Sequence, residues 1–437
     1  MKILGLYTTT ASFLKVLKCI GTAGVASQDA AAKVRSSTQK NLGSPALATL
    51  FTARTHLCYN PDIEPKLNLS PHPGVPSDCA HQDTRFSDAF TILREAIAAR
   101  AFRGCSLAVT FQGKLAALSS FGRYTDETSP AVEENCIFDI ASVSKVVATT
   151  AMAMTLYERG MLDLDLPLAS IVPEFISTNA DPVRREITLR MLLAHCSGLP
   201  AYEKLFLRVH SADDLLEAAF SVSLTAAPDA RAEYSDIGFI ILGVALSRLA
   251  DEPLDHFCQR EIFGPLAMTS TTFNPSPSMR SHCVPTADDQ KFRHRIIQGE
   301  VQDENASILG GVAGHAGLFS KALDLARFSL AMLSGGQPIL HPETLRIFTT
   351  RQPTPHGTSR ALGWDTPSQP SQSGQYFSPH SFGHLGYTGC SLWIDPDRQL
   401  SIALLTNRTW PDCRNQAIKQ VRPRVHDAIV EALEKSV

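Results

Sequence analysis

The chain of 437 residues has no uninterrupted apolar run approaching the roughly eighteen residues that cross a bilayer. No integral membrane span is therefore expected. Charge of one sign is also scarce: 40 Lys and Arg stand against 43 Asp and Glu, a net −3. That balance supplies neither the basic footprint of a nucleic-acid binder nor an acidic tail. The ten cysteines show no metal-type or disulfide-framework spacing. Several lie in apolar segments, as buried free thiols do, which favours a reducing, cytoplasmic setting over a periplasmic or secreted one. No His-Glu-x-x-His occurs, and His380 with His384 make a weak metal pair, so neither a metal nor another cofactor is expected. No Gly-x-Ser-x-Gly elbow is present, which argues against an α/β-hydrolase. Gly310 to Ser320 holds four glycines but no following Lys-Ser/Thr, which excludes a P-loop.

What is present begins with an ambiguous N-terminus. Lys2 followed by Ile3 to Leu14 resembles a short secretory signal, but Thr8, Thr9 and Thr10 dilute the run and Lys15 and Lys18 interrupt it. Residues 20 to about 85 mix Ser, Thr, Gln and Ala with repeated prolines and show little periodicity. A poorly ordered extension is expected over 1–85 and a compact domain over 86–437. Within the domain, apolar spacing predicts a helix from Asp88 to Ala101. Ser106–Phe111 and Leu115–Phe121 read as a hairpin around Gln112-Gly113-Lys114. A helix from Ser142 to Arg159 should stop at Gly160. The stretch 161–350 is mainly helical, with Ala322 to Leu333 among its helices, and Gly389–Ile394 and Leu400–Thr406 are strands around an Asp-Pro-Asp-Arg turn. A final helix follows. The two ends thus build one antiparallel sheet flanked by helices, an α+β domain with a helical insertion.

The densest chemical signal is Ser142-Val143-Ser144-Lys145. Residues i and i+3 share a helix face, so Lys145 can reach the Ser142 oxygen. A serine hydroxyl needs such a base nearby to become a nucleophile. Tyr234-Ser-Asp236 opens another helix, where Asp236 is a plausible N-cap and Tyr234 a plausible core residue. The glycines of Ser381-Phe-Gly-His-Leu-Gly-Tyr-Thr-Gly suggest close backbone approach, or a tight bend entering an edge strand. The 310–320 loop is either a plain tight loop or a wall of a cleft. His195 stands where a helix C-terminus needs stabilising, and Trp364 reads equally as pocket wall or core. Cys196 and Cys390 read as packed thiols.

Six segments occur in one order: Phe138-Asp-Ile-Ala-Ser-Val-Ser-Lys, Met191-Leu-Leu-Ala-His-Cys-Ser-Gly-Leu, Tyr234-Ser-Asp-Ile-Gly-Phe, Asp303-Glu-Asn-Ala, Gly314-His-Ala-Gly-Leu-Phe-Ser and His384-Leu-Gly. Together they resemble the serine β-lactamase and penicillin-binding-protein superfamily, in its class C-like serine hydrolase branch, over roughly residues 86 to 435. The resemblance implies a nucleophilic role for Ser142, an activating role for Lys145 and proton shuttling by Tyr234. It implies an oxyanion hole from the N–H groups of Ser142 and Tyr387, and substrate contacts from Asp236, His315, His384 and Gly386. Asp236 stands where most relatives have asparagine, and its charge favours a protonated Lys145, which shifts weight to Tyr234 as base. His384 stands where the lactamases have the lysine that holds a substrate carboxylate. A largely neutral histidine there points to neutral esters or amides, unless Arg398 or Arg408 supplies the missing charge. The expected activity is a serine hydrolase working through an acyl-enzyme on a small ester, amide or peptide-like substrate. A β-lactamase or D-Ala-D-Ala carboxypeptidase, and a catalytically silent scaffold, are the alternatives.

Overall fold

The computed structural model describes residues 75–179 and 181–435. The chain enters through a short helix and then α1 (Ser87–Ala98), whose Ala89, Phe90, Leu93 and Ala96 recur every three or four residues and are buried. β1 (Gly104–Phe111) and β2 (Lys114–Gly122) form the expected hairpin. The last third of the chain supplies β3 (Phe382–Leu385), β4 (Ser391–Asp395) and β5 (Leu400–Thr406). They make one antiparallel sheet in the order β2-β1-β5-β4-β3. β5 pairs with β1 from Leu400 opposite Phe111 to Thr406 opposite Cys105.

Side-chain alternation sends the two faces of this sheet into two cores. Leu107 and Val109 of β1 and Ile402 and Leu404 of β5 pack with Phe90 and Leu93 of α1 and with Val425 and Ile429 of a long C-terminal helix, Ile418–Glu434. Ala108, Ala403 and Leu405 face the larger core, which holds the helical middle of the chain. A strand buried on both faces reads as a continuous apolar run, as β5 does. Of the expected 1–85 extension, residues 1–74 lie outside the described part. Residues 75–85 are tied to the sheet edge: Ser77 bridges to Leu115, and Leu118 N–H donates to Gln82 Oε1 at 2.8 Å.

The middle is helical with one small sheet, in which Leu318–Ser320 pairs with both Phe138–Asp139 and Thr272–Phe273. The helix expected from Ser142 to Arg159 is not continuous. Ala141–Val143 is a tight 3₁₀ turn, Lys145–Thr150 a wider π turn, and only α2 (Ala151–Glu158) is regular α-helix. Gly160 does end it, at φ +68°. α3 (Asp236–Ala250) buries residues all round its axis and so runs through the core rather than over the surface. A later helix, α4 (Ala322–Leu333), is largely buried and has the bounds its apolar spacing predicts. Among the described residues no helix is long and apolar enough to cross a membrane.

Candidate active site

Ser142 sits on the 3₁₀ turn where the small sheet gives way to helix. Its backbone is held by Asp139, whose Oδ1 accepts from Ala141 N–H at 2.8 Å and whose Oδ2 accepts from Gln302 N–H at 2.6 Å. That anchor lets Ala141 adopt a left-handed φ of +47°, which a non-glycine residue seldom takes. Three residues on, Lys145 Nζ lies 3.1 Å from Ser142 Oγ, the approach that the i,i+3 spacing demands.

Lys145 is fully buried, and its three N–H donors have three acceptors: Ser142 Oγ, Asp236 Oδ1 at 2.6 Å and the His315 carbonyl at 2.9 Å. Burial pushes its pKa down, and the Asp236 carboxylate opposes that by favouring the ammonium form. These three acceptors fit an ammonium, one for each proton. Tyr234 Oη stands 2.7 Å from Ser142 Oγ and 3.1 Å from Asp236 Oδ1. A phenol has one proton and a carboxylate can only accept, so the proton goes to Asp236 and the Ser142 hydroxyl donates to Tyr234. Burial, then the Asp236 charge, holds the Tyr234 pKa well above its ordinary value. Tyr234 is therefore a phenol at neutral pH, able to pass a proton on.

Asp236 is not the helix cap. Ser235 is: its Oγ accepts from Gly238 N–H at 2.9 Å and donates to the Pro200 carbonyl at 2.7 Å. This leaves the Asp236 carboxylate free to face Lys145 and Tyr234 from the first turn of α3. His195 does not act as a cation at a helix end. It is buried, its Nδ1 accepts from Ser235 N–H at 3.0 Å, and its ring lies 4.8 Å from that of Tyr234. Burial drives its pKa well below 6.5, so it is a neutral brace for the Tyr234 turn.

The glycine-rich loop is a wall of this site. Gly314 passes so close to α3 that a Cβ would lie 2.1 Å from the Phe239 carbonyl. Its own carbonyl accepts from Thr149 Oγ1 at 2.7 Å, and the next carbonyl, that of His315, holds Lys145. The His315 ring itself is 1% exposed and its Nε2 is 2.8 Å from Asp303 Oδ1. His315 thus meets Lys145 through its carbonyl while its ring is held on Asp303.

On the far side, Gly386 packs its backbone against the Ile140 carbonyl, where a Cβ would sit at 2.5 Å. Thr388 Oγ1 donates to the Asp139 carbonyl at 2.8 Å. The turn after β3 is thus pressed onto the strand that leads to Ser142, and the Tyr387 N–H has no hydrogen-bond partner among the described residues. His384 is 3% exposed and its Nδ1 lies 2.8 Å from the Leu385 carbonyl, which fixes that nitrogen as the protonated one. Burial, then the charges of Lys145 and Arg360, keeps the ring neutral.

Neither arginine suggested by the sequence supplies a cation here. Arg398 pairs with Glu434 at 3.2 Å, and Arg408 spends its donors on the carbonyls of Tyr387, Cys413 and Asn415. The cation is Arg360, whose guanidinium lies 5.5 Å from the Tyr234 ring centroid. The expectation of a site without a permanent positive charge is corrected on this point. No local pattern marks Arg360; it arrives by pairing with Asp365 in a short bridge. Trp364 is fully buried between Phe328 and Phe382, hence core rather than pocket wall. Burial pushes the Cys196 and Cys390 thiols up to about 12 and about 11, so both are inert packed groups. Among the described residues no cluster of three or more His, Cys, Asp or Glu could hold a metal ion.

Comparison with known proteins follows the same lines. A putative D-alanyl-D-alanine carboxypeptidase of Escherichia coli (strain K12) is 30% identical over 301 residues, 62% of this chain and 69% of that protein. An N-acetylmuramyl-L-alanine amidase of Bacillus subtilis (strain 168) is 29% identical over 346 residues, 71% of this chain and 78% of that protein. Among solved structures, EstCE1, a hydrolase with promiscuous acyltransferase activity, superimposes with a TM-score of 0.66 at 20% identity, covering 80% of this chain and 99% of its own. The Beta-lactamase family model matches residues 90–423, and the chain belongs to that family.

Proposed function

We propose that the protein is a serine hydrolase that transfers an acyl group to Ser142 and then to water, acting on amides or esters of small acyl or peptide-like substrates. The observation that carries this is the double approach to one oxygen: Ser142 Oγ meets Lys145 Nζ at 3.1 Å and Tyr234 Oη at 2.7 Å. A silent scaffold has no use for that convergence.

The cluster's protonation assigns the steps. Ser142 Oγ attacks the acyl carbon as its proton moves to Tyr234 Oη and the Tyr234 proton moves to Asp236 Oδ1. The Lys145 ammonium stabilises the forming alkoxide, and the N–H groups of Ser142 and Tyr387 receive the carbonyl oxygen as it gains charge. Each such donor is typically worth about 2.7–4 kcal/mol in the transition state. Collapse breaks the bond to the leaving nitrogen or oxygen, which takes the proton back from Tyr234 as Asp236 returns its own. Water then repeats the sequence on the acyl-enzyme, releasing the acid and free Ser142. The carboxypeptidase and amidase relatives, and the fold neighbour that is a hydrolase with promiscuous acyltransferase activity, all suit acyl transfer of this kind.

Intact-mass spectrometry after treatment with a fluorophosphonate tests the reading. The wild type should gain one adduct and Ser142→Ala none, with ester hydrolysis falling a thousandfold or more in the variant. An adduct that persists in Ser142→Ala would place the nucleophile elsewhere, and no adduct on folded wild type would return the protein to the scaffold reading.

A further inference from the structure

Two buried guanidiniums without a counter-ion stand behind the turn that carries the Tyr387 N–H. Arg408, just past β5, is 5% exposed, and Arg422, on the C-terminal helix, is 3% exposed. Among the described residues neither forms an ion pair, and both donate only to neutral oxygens. Arg408 Nε donates to the Tyr387 carbonyl at 2.7 Å and its Nη1 to the carbonyls of Cys413 and Asn415. Its guanidinium also lies 4.4 Å from the Tyr387 ring centroid. Arg422 Nη2 donates to the Gly389 carbonyl at 3.0 Å and its Nη1 to Gln372 Oε1 at 2.8 Å. An unpaired charge held out of water costs stability, so two of them behind one turn persist against that cost. Bracing alone accounts for such a group elsewhere: Arg184 is fully buried and donates to the carbonyls of Phe175, Phe220 and Val222, on segments that carry none of the site residues.

What sets Arg408 and Arg422 apart is the bonding of the turn they hold. Every carbonyl from Gly386 to Cys390 has a donor. The Gly386 carbonyl accepts from Gly389 N–H at 3.0 Å, and that of Cys390 from Gly386 N–H at 2.7 Å. The Thr388 carbonyl accepts from Thr406 Oγ1 at 2.9 Å and from Arg408 N–H at 3.0 Å. These bonds run head to tail. The Thr388–Gly389 peptide accepts on its oxygen and donates through Gly389 N–H to the Gly386–Tyr387 peptide, whose own N–H is the open one. Hydrogen bonds in such a chain polarise one another, and a fixed cation beside it favours negative charge at its end. Gly389 permits the approach, since a Cβ there would lie 2.1 Å from Thr406 Oγ1 and 2.6 Å from Arg408 Cγ. We propose that Arg408 is a positioning residue of the oxyanion hole: its guanidinium holds the Tyr387 carbonyl, so that the Tyr387 N–H stays turned to the reacting oxygen with a permanent positive charge behind it. Thr406 polarises the same chain of peptides, and Arg422 anchors the far end of the turn. This rests on the acyl-enzyme reading and names the groups that prepare one of its two oxyanion donors.

The test uses 4-nitrophenyl acetate, with rates expressed per site titrated by a fluorophosphonate. Arg408→Gln should lower kcat by about tenfold or more and leave KM within about threefold, because the hole acts on the transition state and not on bound substrate. Arg408→Lys, which keeps the charge, should recover part of the loss. The phosphonyl adduct on Ser142 gives a readout without turnover. Its phosphoryl oxygen lies where the oxyanion forms, and its phosphorus NMR resonance should move upfield in Arg408→Gln as the donor weakens. Arg184→Lys is the control for a plain brace: it should lower the urea midpoint and leave both kcat per site and the phosphorus resonance as in wild type. Should Arg408→Gln not fold, Thr406→Val removes one donor from the Thr388 carbonyl with little change of shape. There kcat should fall by about threefold or more, and Thr406→Ser should restore it. Wild-type kcat per site with an unmoved phosphorus resonance, in Arg408→Gln or in Thr406→Val, would overturn the role. So would a loss in Arg408→Gln confined to stability, as in Arg184→Lys. Adduct formation on Ser142 in wild type and variants alike keeps a failure of this role distinct from a failure of the nucleophile.

Discussion

At the scale of single residues, the decisive substitution is a carboxylate where an amide would keep the same shape. Asp236 Oδ1 touches both Lys145 Nζ and Tyr234 Oη, at 2.6 and 3.1 Å. An asparagine oxygen accepts the same bonds but takes no proton and supplies no charge. Asp236→Asn should therefore lower kcat/KM for an ester by about a hundredfold, the range of a lost acid–base group. It should also change the pH profile. Burial lowers the Lys145 pKa and Asp236 opposes that fall. Removing the carboxylate lets the pKa drop further, so an enzyme that needs the ammonium loses activity at a lower alkaline pH. A neutral Lys145 acting as base predicts the opposite, with activity in the variant extending to lower pH. A pH–rate profile of wild type and variant separates the two, and an unchanged profile at full activity would remove Asp236 from the relay.

At the scale of elements, the site depends on two backbone approaches, one on each side of Ser142. Gly314→Ala would drive a Cβ to 2.1 Å from the Phe239 carbonyl and 2.9 Å from the Gly243 backbone of α3. Both neighbours are main chain and cannot swing aside, so a loss of about 2–4 kcal/mol in urea unfolding is expected. The loop carries the carbonyl that holds Lys145, so kcat/KM should fall as well, even where the protein remains folded. Unaltered stability would mean that the loop shifts freely and is no rigid wall. These elements were unequally legible in the sequence. β5 and α4 run over the residues their apolar patterns predict, because each follows one period from end to end. Ser142 and Lys145 were legible for the same local reason, three residues on one turn. The break of the Ser142 helix into 3₁₀, π and α segments was not, since an unbroken apolar run fits all three. Nor were Phe138–Asp139 and Thr272–Phe273, two residues each and defined only by pairing with Leu318–Ser320. Tyr234 meets Ser142 across 92 positions, and only the resemblance linked them in advance. Arg360 had no motif at all, and Asp236 was given the cap that its neighbour Ser235 provides.

At the scale of the whole molecule, buried titratable groups set the response to acid. His195, His384 and His426 are all buried and neutral; the first two titrate well below 6.5, and burial pushes His426 down to about 3. In the unfolded chain each takes up a proton below its ordinary 6.5. The unfolded state then binds more protons than the fold, so stability falls as pH drops through 6.5. Asp139 works the other way. Burial raises it to about 6, so between 3.8 and 6 the folded state binds the extra proton and stability rises as pH falls. Burial raises the carboxyls of Asp324, Glu304 and Asp427 in the same sense as Asp139, so the acid response of the whole protein is the difference between two opposing sets, in which each buried histidine contributes at most about 1.4 kcal/mol per pH unit below 6.5. Urea unfolding of wild type and of a single histidine variant, compared from pH 7.5 to 4.5, isolates one histidine's share. His426 packs against Phe377 and the Ser373 carbonyl, away from Ser142, so it can be changed without touching the reaction. His426→Gln should reduce the acid slope by about one proton while fluorophosphonate labelling of Ser142 at pH 7.5 stays as in the wild type. An acid slope unchanged in His426→Gln would mean that the His426 ring is protonated inside the fold. The neutrality of His195 and His384, which rests on the same burial, would then fall with it.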